Sequence, residues 1–433
     1  MRFLGIGETN DLGDMYLRLI RAGHQVRVFV ADESSRDVMN RMLDFTNDWR
    51  AELSWIREAG DEGIILFESA SAGETQDELR NEGLNVIGGS ALGDRLEQER
   101  GYAQQVLRDL GLQTAWTREF TTFDDGIAFV TASPGRYVFK LNGANWPSTR
   151  NYVGQMQSGA DMLALLRVTR DNWDLAEIPS FVLMEHITGV EVGVGAFFNG
   201  ESFLGTPNLD WEHKRFFPGD LGELTGEMGT IVTYRGGERL FDATLAHLAP
   251  MLRDSGYVGY INLNTIVNEA GVWPLELTCR FGYPGFAILD SLHAEEWGSI
   301  FATLIRRDRQ VIETRSGFSA GVVLTVPTFP YSDGYSDVGC GTPICFTETM
   351  TEADRDALHL GEVTTAGDQL MTAGVIGYIM VVTGVGDTVE EACRTAYETA
   401  EKVIIPNVRY RNDIGARLIR EDYAAMKSLG WLD

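Results

Sequence analysis

Two stretches about fifty residues apart carry the side chains best suited to chemistry. The second, LELTCRFGYPG (Leu275–Gly285), places Glu276, Thr278 and Arg280 at alternating positions. On a strand all three project to one face. A carboxylate and a hydroxyl are hard oxygen ligands for a divalent cation. An arginine beside them can stabilise an acyl phosphate and a tetrahedral intermediate. The first stretch, EHKRFFPGDLGELTGEMG (Glu212–Gly229), couples the basic residues His213, Lys214 and Arg215 to a loop punctuated by Gly219, Gly222, Gly226 and Gly229. Backbone N–H groups of such a loop can cradle phosphates. Together the two stretches fit an enzyme that holds a nucleoside triphosphate through metal and makes an acyl phosphate.

Other pieces of that chemistry lie upstream. RYVFKLNG (Arg136–Gly143) is an apolar strand pattern carrying one lysine, Lys140. SFVLMEHI (Ser180–Ile187) is a buried-strand pattern ending in Glu185, His186 and Ile187, with Glu191 four residues beyond. A strand edge of this kind can receive adenine, and a following carboxylate can reach ribose hydroxyls. Asn264 stands on the partner strand of Glu276 and can share its face. Taken singly these features are common: a lone lysine in a strand is ordinarily a snorkelling edge residue. Their order and spacing make the argument.

The elements that must position them follow from hydrophobic periodicity. RFLGIG, an amphipathic helix over Asp11–His24 and QVRVFVAD form a βαβ start, and GIILFES and NVIGGS read as later parallel strands. Residues 1–92 are thus expected to form an N-terminal doubly wound α/β domain. A single helix is expected over Asp94–Leu112. The middle of the chain reads as α+β, with hairpin turns at Asn199-Gly200 and at Asn268–Gly271. From 318 to 433 a third unit is expected, with strands over Gly321–Phe329 and Gly374–Gly386. Its helix begins at Thr388, where Thr388 and Glu391 are spaced as a capping box.

Composition narrows the class. The chain has 433 residues, more than one ordinary core requires. Its 36 Lys+Arg against 63 Asp+Glu leave a net charge of −27, which repels nucleic-acid backbones and argues against duplex binding. Cys279, Cys340, Cys345 and Cys393 are too few for a disulfide framework. No apolar run reaches membrane-spanning length, and MRFLGIGETND is too short in apolar residues for a signal peptide. A cytoplasmic protein acting on small molecules is expected.

The motifs resemble those of the ATP-grasp ligases, and within them the glycinamide ribonucleotide synthetase family. That family carries D-H-K-R, then G-D-x-G-P-N-T-G-G-M-G, then E-F-N-C-R-F-G-D-P-E. The chain reads E-H-K-R at Glu212–Arg215, G-D-L-G-E-L-T-G-E-M-G at Gly219–Gly229 and E-L-T-C-R-F-G-Y-P-G at Glu276–Gly285. Near the C-terminus RNDIGARLI (Arg411–Ile419) is similar to the family's R-K-D-I-G-x-R. The resemblance implies an ATP-grasp region over 93–317, between the N-terminal domain and a small α/β C-terminal domain over 318–433. It implies an ADP-forming carboxylate–amine ligase that uses ATP and Mg²⁺ (or Mn²⁺), with glycine or another small amino acid as the acid and a phosphoribosylamine-like or other sugar or nucleotide amine as the second substrate. By position, Lys140 and Arg100 would contact ATP phosphates, Arg100 standing where the family has lysine. Glu185 and Ile187 would bind adenine through backbone, and Glu191 the ribose. Glu276, Thr278 and Asn264 would face the metal, and Arg280 the acyl phosphate. Lys214, Arg215, Gly226 and Gly229 would line the phosphate and substrate side.

The departures from the family pattern are specific. Thr278 replaces an asparagine, Glu223-Leu224 replace proline-asparagine, and Glu227 replaces a glycine. Tyr283-Pro284-Gly285 replace D-P-E. The N-terminal G-G-R-E-H loop is GETNDLGD here, and G-P-E-x-P-L survives only as Glu68. These last changes fall on the amine-substrate half. They favour a different amine, while the Thr278 and Tyr283 changes motivate a second reading, a nucleotide-binding protein without turnover. A dehydrogenase using the N-terminal domain is a third.

Overall fold

The computed structural model describes residues 1–142, 148–173 and 180–432. Gly143, the last residue of the strand expected over Arg136–Gly143, lies outside them. Strands β1 (Arg2–Gly7), β2 (Gln25–Val30), β3 (Gly63–Phe67) and β4 (Asn85–Ile87) form a parallel sheet in the order β2-β1-β3-β4. Helices Gly13–Arg21 and Gly73–Asn81 supply the crossovers. Alternation along β1 splits its side chains between two cores: Leu4 and Ile6 pack with Ile65 and Phe67, while Phe3 joins the main core.

A second, antiparallel sheet has the order β5-β8-β6-β7, from β5 (Thr117–Phe120), β6 (Tyr137–Leu141), β7 (Tyr152–Val153) and β8 (Phe181–Glu185). Its own core holds Phe120, Phe123, Phe139, Leu141 and Phe181. Lys140 sits between Phe139 and Leu141, so strand alternation turns it to the opposite face.

The largest sheet has eight strands. It comprises β9 (Val190–Asn199), β10 (Asn208–Glu212), β13 (Gly229–Thr233), β14 (Val258–Asn268), β15 (Gly271–Thr278), β16 (Phe318–Thr325), β18 (Leu358–Leu360) and β21 (Tyr378–Gly386), in the order β15-β14-β9-β10-β13-β16-β21-β18. Because β13 pairs with β16, this sheet runs unbroken across residue 317, so the expected middle and C-terminal units share one ladder. Three ribbons complete the strands: β11 (Arg215–Phe217) with β12 (Leu221–Leu224), β17 (Cys345–Phe346) with β22 (Val403–Ile404), and β19 (Val363–Ala366) with β20 (Gln369–Thr372). Among the described residues no helix is long and apolar enough to cross a membrane.

Several elements differ in detail from the periodicity reading. The helix expected over Asp94–Leu112 is two helices, Ala91–Gln98 and Arg100–Asp109, broken at Glu99. β21 starts at Tyr378 because the N–H groups of Gly374 to Tyr378 fold away from the ladder. Those of Val375, Ile376, Gly377 and Tyr378 converge on the Glu362 carboxylate. β16 stops at Thr325, before Pro327. Thr388 caps its helix by accepting from the Glu391 N–H, but the Glu391 carboxylate accepts from Asp387 instead of closing a box. A reciprocal box exists at Thr351 and Asp354.

Two local arrangements generate tests. Gly229 has φ +150°, and a Cβ there would lie 2.4 Å from the Gly321 carbonyl oxygen of the paired strand. Gly229→Ala is expected to destabilise the protein by about 1–3 kcal/mol, from overpacking and backbone strain. An unchanged calorimetric Tm would refute this. Glu68 follows β3 and is 3% exposed. It accepts hydrogen bonds from the Tyr16 hydroxyl (2.7 Å) and the Asp11 N–H (2.9 Å). Burial, reinforced by the Asp11 charge, pushes its carboxyl from 4.5 up to about 8. The folded chain therefore keeps a proton that the unfolded chain loses above pH 4.5. The associated stability is full below that pH and is lost as pH rises through about 8. The wild-type Tm should fall more steeply between pH 5 and 8 than that of Glu68→Gln. Parallel Tm–pH curves would contradict it.

Candidate active site

The two sheets of the middle region meet over one carboxylate. Glu276 on β15 lies 3.3 Å from Lys140 Nζ of β6 and 3.2 Å from Lys214 Nζ, just beyond β10. Arg100 Nη1, from the helix that starts at the Glu99 break, approaches to 3.3 Å. That nitrogen is buried and makes no aligned hydrogen bond, so charge alone holds it. Lys140 and Lys214 keep the Glu276 carboxyl well below the usual carboxylate range against its burial. Burial lowers the Lys140 ammonium, and Glu276 opposes that shift. Lys214 is pushed well above its usual range, because Glu191, Glu212 and Glu276 together outweigh its burial. Glu191 and Glu212 each lie 3.0 Å from Lys214 Nζ.

A cleft of about 190 Å³ opens beside this cluster. Asn264, Glu276, Thr278, Arg280, Gly226 and Lys214 line it. The antiparallel register sets Asn264 opposite Glu276 and Asn262 opposite Thr278, which brings the expected metal-facing oxygens to one wall. Asn264 donates its amide to Glu191 at 2.8 Å, so its carbonyl oxygen is what it can offer a cation. One carboxylate, one amide oxygen and one hydroxyl are hard donors suited to Mg²⁺. Among the described residues no three His, Cys, Asp or Glu side chains converge as a metal cage. The donor set therefore fits an ion held jointly with phosphate oxygens. Arg280 is fixed at the end of this wall: its Nε donates to Glu97 Oε1 at 3.0 Å and its Nη1 to the Phe281 carbonyl. Glu97 also accepts from the Cys279 N–H at 2.7 Å. The break at Glu99 serves this geometry, since Glu97 turns to Arg280 while Arg100 turns to Glu276.

Glu185 and Ile187 lie at the end of β8. The Glu185 N–H donates to the Trp116 carbonyl at 2.8 Å, and the His186 N–H to Arg136. Among the described residues the Ile187 N–H has no backbone acceptor, which leaves it available to a ring nitrogen. Two expected residues stand apart from the Glu276 cluster. Arg215 donates to the Gly222 carbonyl within the β11–β12 ribbon at 2.7 Å. Gly229 is a buried residue of β13 whose carbonyl accepts from the His213 N–H. Their nearest partners are structural.

The basic motif and the C-terminal motif form one clasp. His213 contacts the Gly229 carbonyl through Nδ1 at 3.2 Å and accepts from the Gly415 N–H through Nε2 at 3.1 Å. Burial, aided by Arg411, lowers this imidazole to about 4, so it is neutral and can accept. Arg411 is 1% exposed and binds the Arg215 carbonyl, Asp220 and Asp413. Asp413 in turn accepts from the Gly219 N–H at 2.8 Å. The glycine-rich ribbon is thereby anchored at its base.

Sequence reasoning missed Glu97, Asp210 and Asn262 as site residues. The alternation of Asn208, Asp210 and Glu212 along β10 was a readable signal, since three polar residues repeat every second position in an otherwise apolar strand. Glu97 carried no such signal, because its partner is 183 residues away.

Comparison with known proteins agrees with this geometry. The chain matches the description "Phosphoribosylglycinamide synthetase, ATP-grasp (A) domain" over residues 98–286 and "Phosphoribosylglycinamide synthetase, C domain" over residues 319–417. A phosphoribosylamine–glycine ligase of Halalkalibacterium halodurans is 26% identical over 354 residues, covering 80% of this chain and 79% of that protein. One of Streptococcus suis is 25% identical over 434 residues, covering 97% and 100%. The crystal structure of a phosphoribosylamine–glycine ligase from Thermotoga maritima superposes with a TM-score of 0.71 at 22% identity, over 96% of this chain and 100% of that one, which establishes the shared fold. The chain belongs to the phosphoribosylglycinamide synthetase family of ATP-grasp ligases.

Proposed function

We propose that the cleft around Glu276 joins an amino acid to an amine at the expense of ATP. The observation that carries this reading is the convergence of Arg100, Lys140 and Lys214 on Glu276, with Arg280 tethered beside them by Glu97. Arg100 and Lys140 neutralise the ATP phosphates. The Glu185 carbonyl and the Ile187 N–H pair with adenine. Glu191 uses only Oε1 for Lys214 and Asn264, which leaves Oε2 for a ribose hydroxyl. Glu276, with Asn264 and Thr278, would hold Mg²⁺ against the triphosphate. The ion, when bound, neutralises charge on the transferring phosphoryl group. Gly226 and the adjoining loop cover the phosphates.

The chemistry runs in two displacements. A carboxylate oxygen of the amino acid attacks the γ-phosphorus, the bond to the β-phosphate oxygen breaks, and ADP departs. Arg280 and Lys214 hold the acyl phosphate. The amine nitrogen then attacks the acyl carbon, the carbon–oxygen bond to phosphate breaks, and an amide and inorganic phosphate result. The nitrogen loses its proton to solvent or to the departing phosphate. Arg280 offsets the charge on the tetrahedral oxygen, the kind of electrostatic term that dominates such steps. The relatives are named phosphoribosylamine–glycine ligases, and on that pattern the acid is glycine and the amine 5-phosphoribosylamine. A different sugar or nucleotide amine is favoured by one observation: Glu8, Asp11 and Glu68 surround the N-terminal loop where the family carries G-G-R-E-H.

Hydroxylamine trapping tests the reading. Protein, Mg-ATP and an amino acid should yield a hydroxamate and ADP in equal amounts. Arg280→Met should lower kcat by about 10²–10³-fold, the usual loss on removing one such donor. Glu276→Ala should stop ADP release while ATP still binds. Hydroxamate formation unaffected by both changes would overturn the assignment. A second test concerns the charge cluster itself. Lys214→Met leaves Glu191, Glu212 and Glu276 facing one another. It should cost about 1–2 kcal/mol after discounting for solvent access. Combining it with Glu276→Gln should recover part of that loss in a double-mutant cycle. Strict additivity of the two changes would show that Lys214 and Glu276 do not interact.

A further inference from the structure

Behind the Glu276 cluster the same cleft ends in a pocket of acids. Asp210 and Glu227 are 6% and 7% exposed, and Glu212 lines the cleft beside them. Asp210 spends its Oδ2 on the amides of Asn262 (2.6 Å) and Asn208 (3.1 Å). Tyr260 in turn donates to Asn208 and locks that amide. Glu212 is shared with Lys214, which also serves Glu191 and Glu276. The decisive feature is Glu227. Its Oε1 is buried in the wall of the cleft and has no hydrogen-bond partner. Thr230, 2% exposed on the same wall, also has an unpartnered hydroxyl. Buried polar groups are almost always satisfied, so two orphans aimed into one cavity mark a place built for a ligand donor.

The surplus of acids in the lining favours a cationic donor. Three acids line the cavity, and the lysine nearest them is already divided among Glu191, Glu212 and Glu276. Burial and mutual repulsion hold the Asp210 and Glu227 carboxyls above their usual range, so they keep protons that a cation seated among them would displace. The orphaned oxygens of Glu227 and Thr230, with Asp210 and Glu212 in the same lining, suit a small organic cation that offers several N–H donors. A primary ammonium carries three N–H donors, and carboxylate and hydroxyl oxygens are its natural acceptors.

We propose that the amino acid activated by this enzyme bears a side-chain ammonium seated among Asp210, Glu212 and Glu227, while its reacting carboxylate lies toward Lys214 and Arg280. The substrate is then a basic amino acid where the named relatives take glycine. This rests on the ligase reading, and the test separates the two.

Binding is measured by titration calorimetry in the presence of Mg²⁺ and a non-hydrolysable ATP analogue, with glycine, norvaline, ornithine and lysine as probes. A basic amino acid should bind about tenfold or more tighter than norvaline, the value of one hydrogen bond to a charged group. Glu227→Gln and Asp210→Asn, each checked for an intact thermal transition, should each erase most of that preference. Equal affinity for norvaline and the basic acids would overturn the proposal, as would a preference that survives both substitutions or glycine binding as tightly as either basic acid. ADP release is read separately with the same panel. Its absence with every acid, beside a preference that both substitutions abolish, would sink the ligase reading and uphold the ammonium pocket.

Discussion

One carboxylate, Glu276, gathers cations from three separate stretches of the chain. Arg100 comes from a helix, Lys140 from the smaller antiparallel sheet and Lys214 from the edge of the glycine-rich ribbon. Each of those cations lies in a partly desolvated place and would be costly there alone. Glu276 makes their convergence tolerable, and they in turn keep it ionised. The interaction also joins the two lobes, because Lys140 and Glu276 belong to different sheets. The site and the lobe interface are thus one electrostatic arrangement.

The rest of the molecule can be understood as support for that point. Arg280 is aligned by Glu97, which the helix break at Glu99 sets free to reach it. The ribbon beside Lys214 is held at its base by His213, Arg411 and Asp413, through backbone groups and, for Arg411, the Asp220 carboxylate as well. That arrangement explains why a basic motif at 212–215 and a motif at 411–415 occur in one chain. They are two halves of a clasp, and the neutral imidazole of His213 is its acceptor. Because β13 pairs with β16, the C-terminal segment is also part of the sheet that carries the site. The N-terminal domain contributes differently. Its loop holds the Asp11 N–H and the Tyr16 hydroxyl on the buried Glu68, whose carboxyl burial raises to about 8.

The architecture was legible where periodicity was strong. The apolar runs of β1 and β3 and the alternation of β2 announced a parallel sheet, and Asn268–Gly271 announced the β14–β15 hairpin. Alternation of Glu276, Thr278 and Arg280 put all three on the cleft wall. What was not legible depended on long-range geometry. The break at Glu99 has no proline, only Gly101 two residues on as a weak local signal, and the side chains flanking it reach opposite partners, Glu97 to Arg280 and Arg100 to Glu276. The late start of β21 follows from Glu362 collecting the N–H groups that would otherwise extend the ladder. Arg215 and Gly229 belong to motifs that suggest phosphate contact, yet their bonds are to the ribbon and to the neighbouring strand.

By itself the sequence determined which groups were available: a carboxylate, two lysines and two arginines at spacings that suit phosphoryl transfer, on strands whose period fixes the face each side chain takes. That follows from local geometry, which needs only the pleat of a strand. Tertiary structure decided which of those groups meet. It selected Arg100, Lys140 and Lys214 for Glu276, gave Glu97 to Arg280, and closed Asp210 and Glu227 into a single cavity. Such pairings depend on how sheets pack and on the cost of burying charge without a partner, and neither is written in the spacing of residues along the chain.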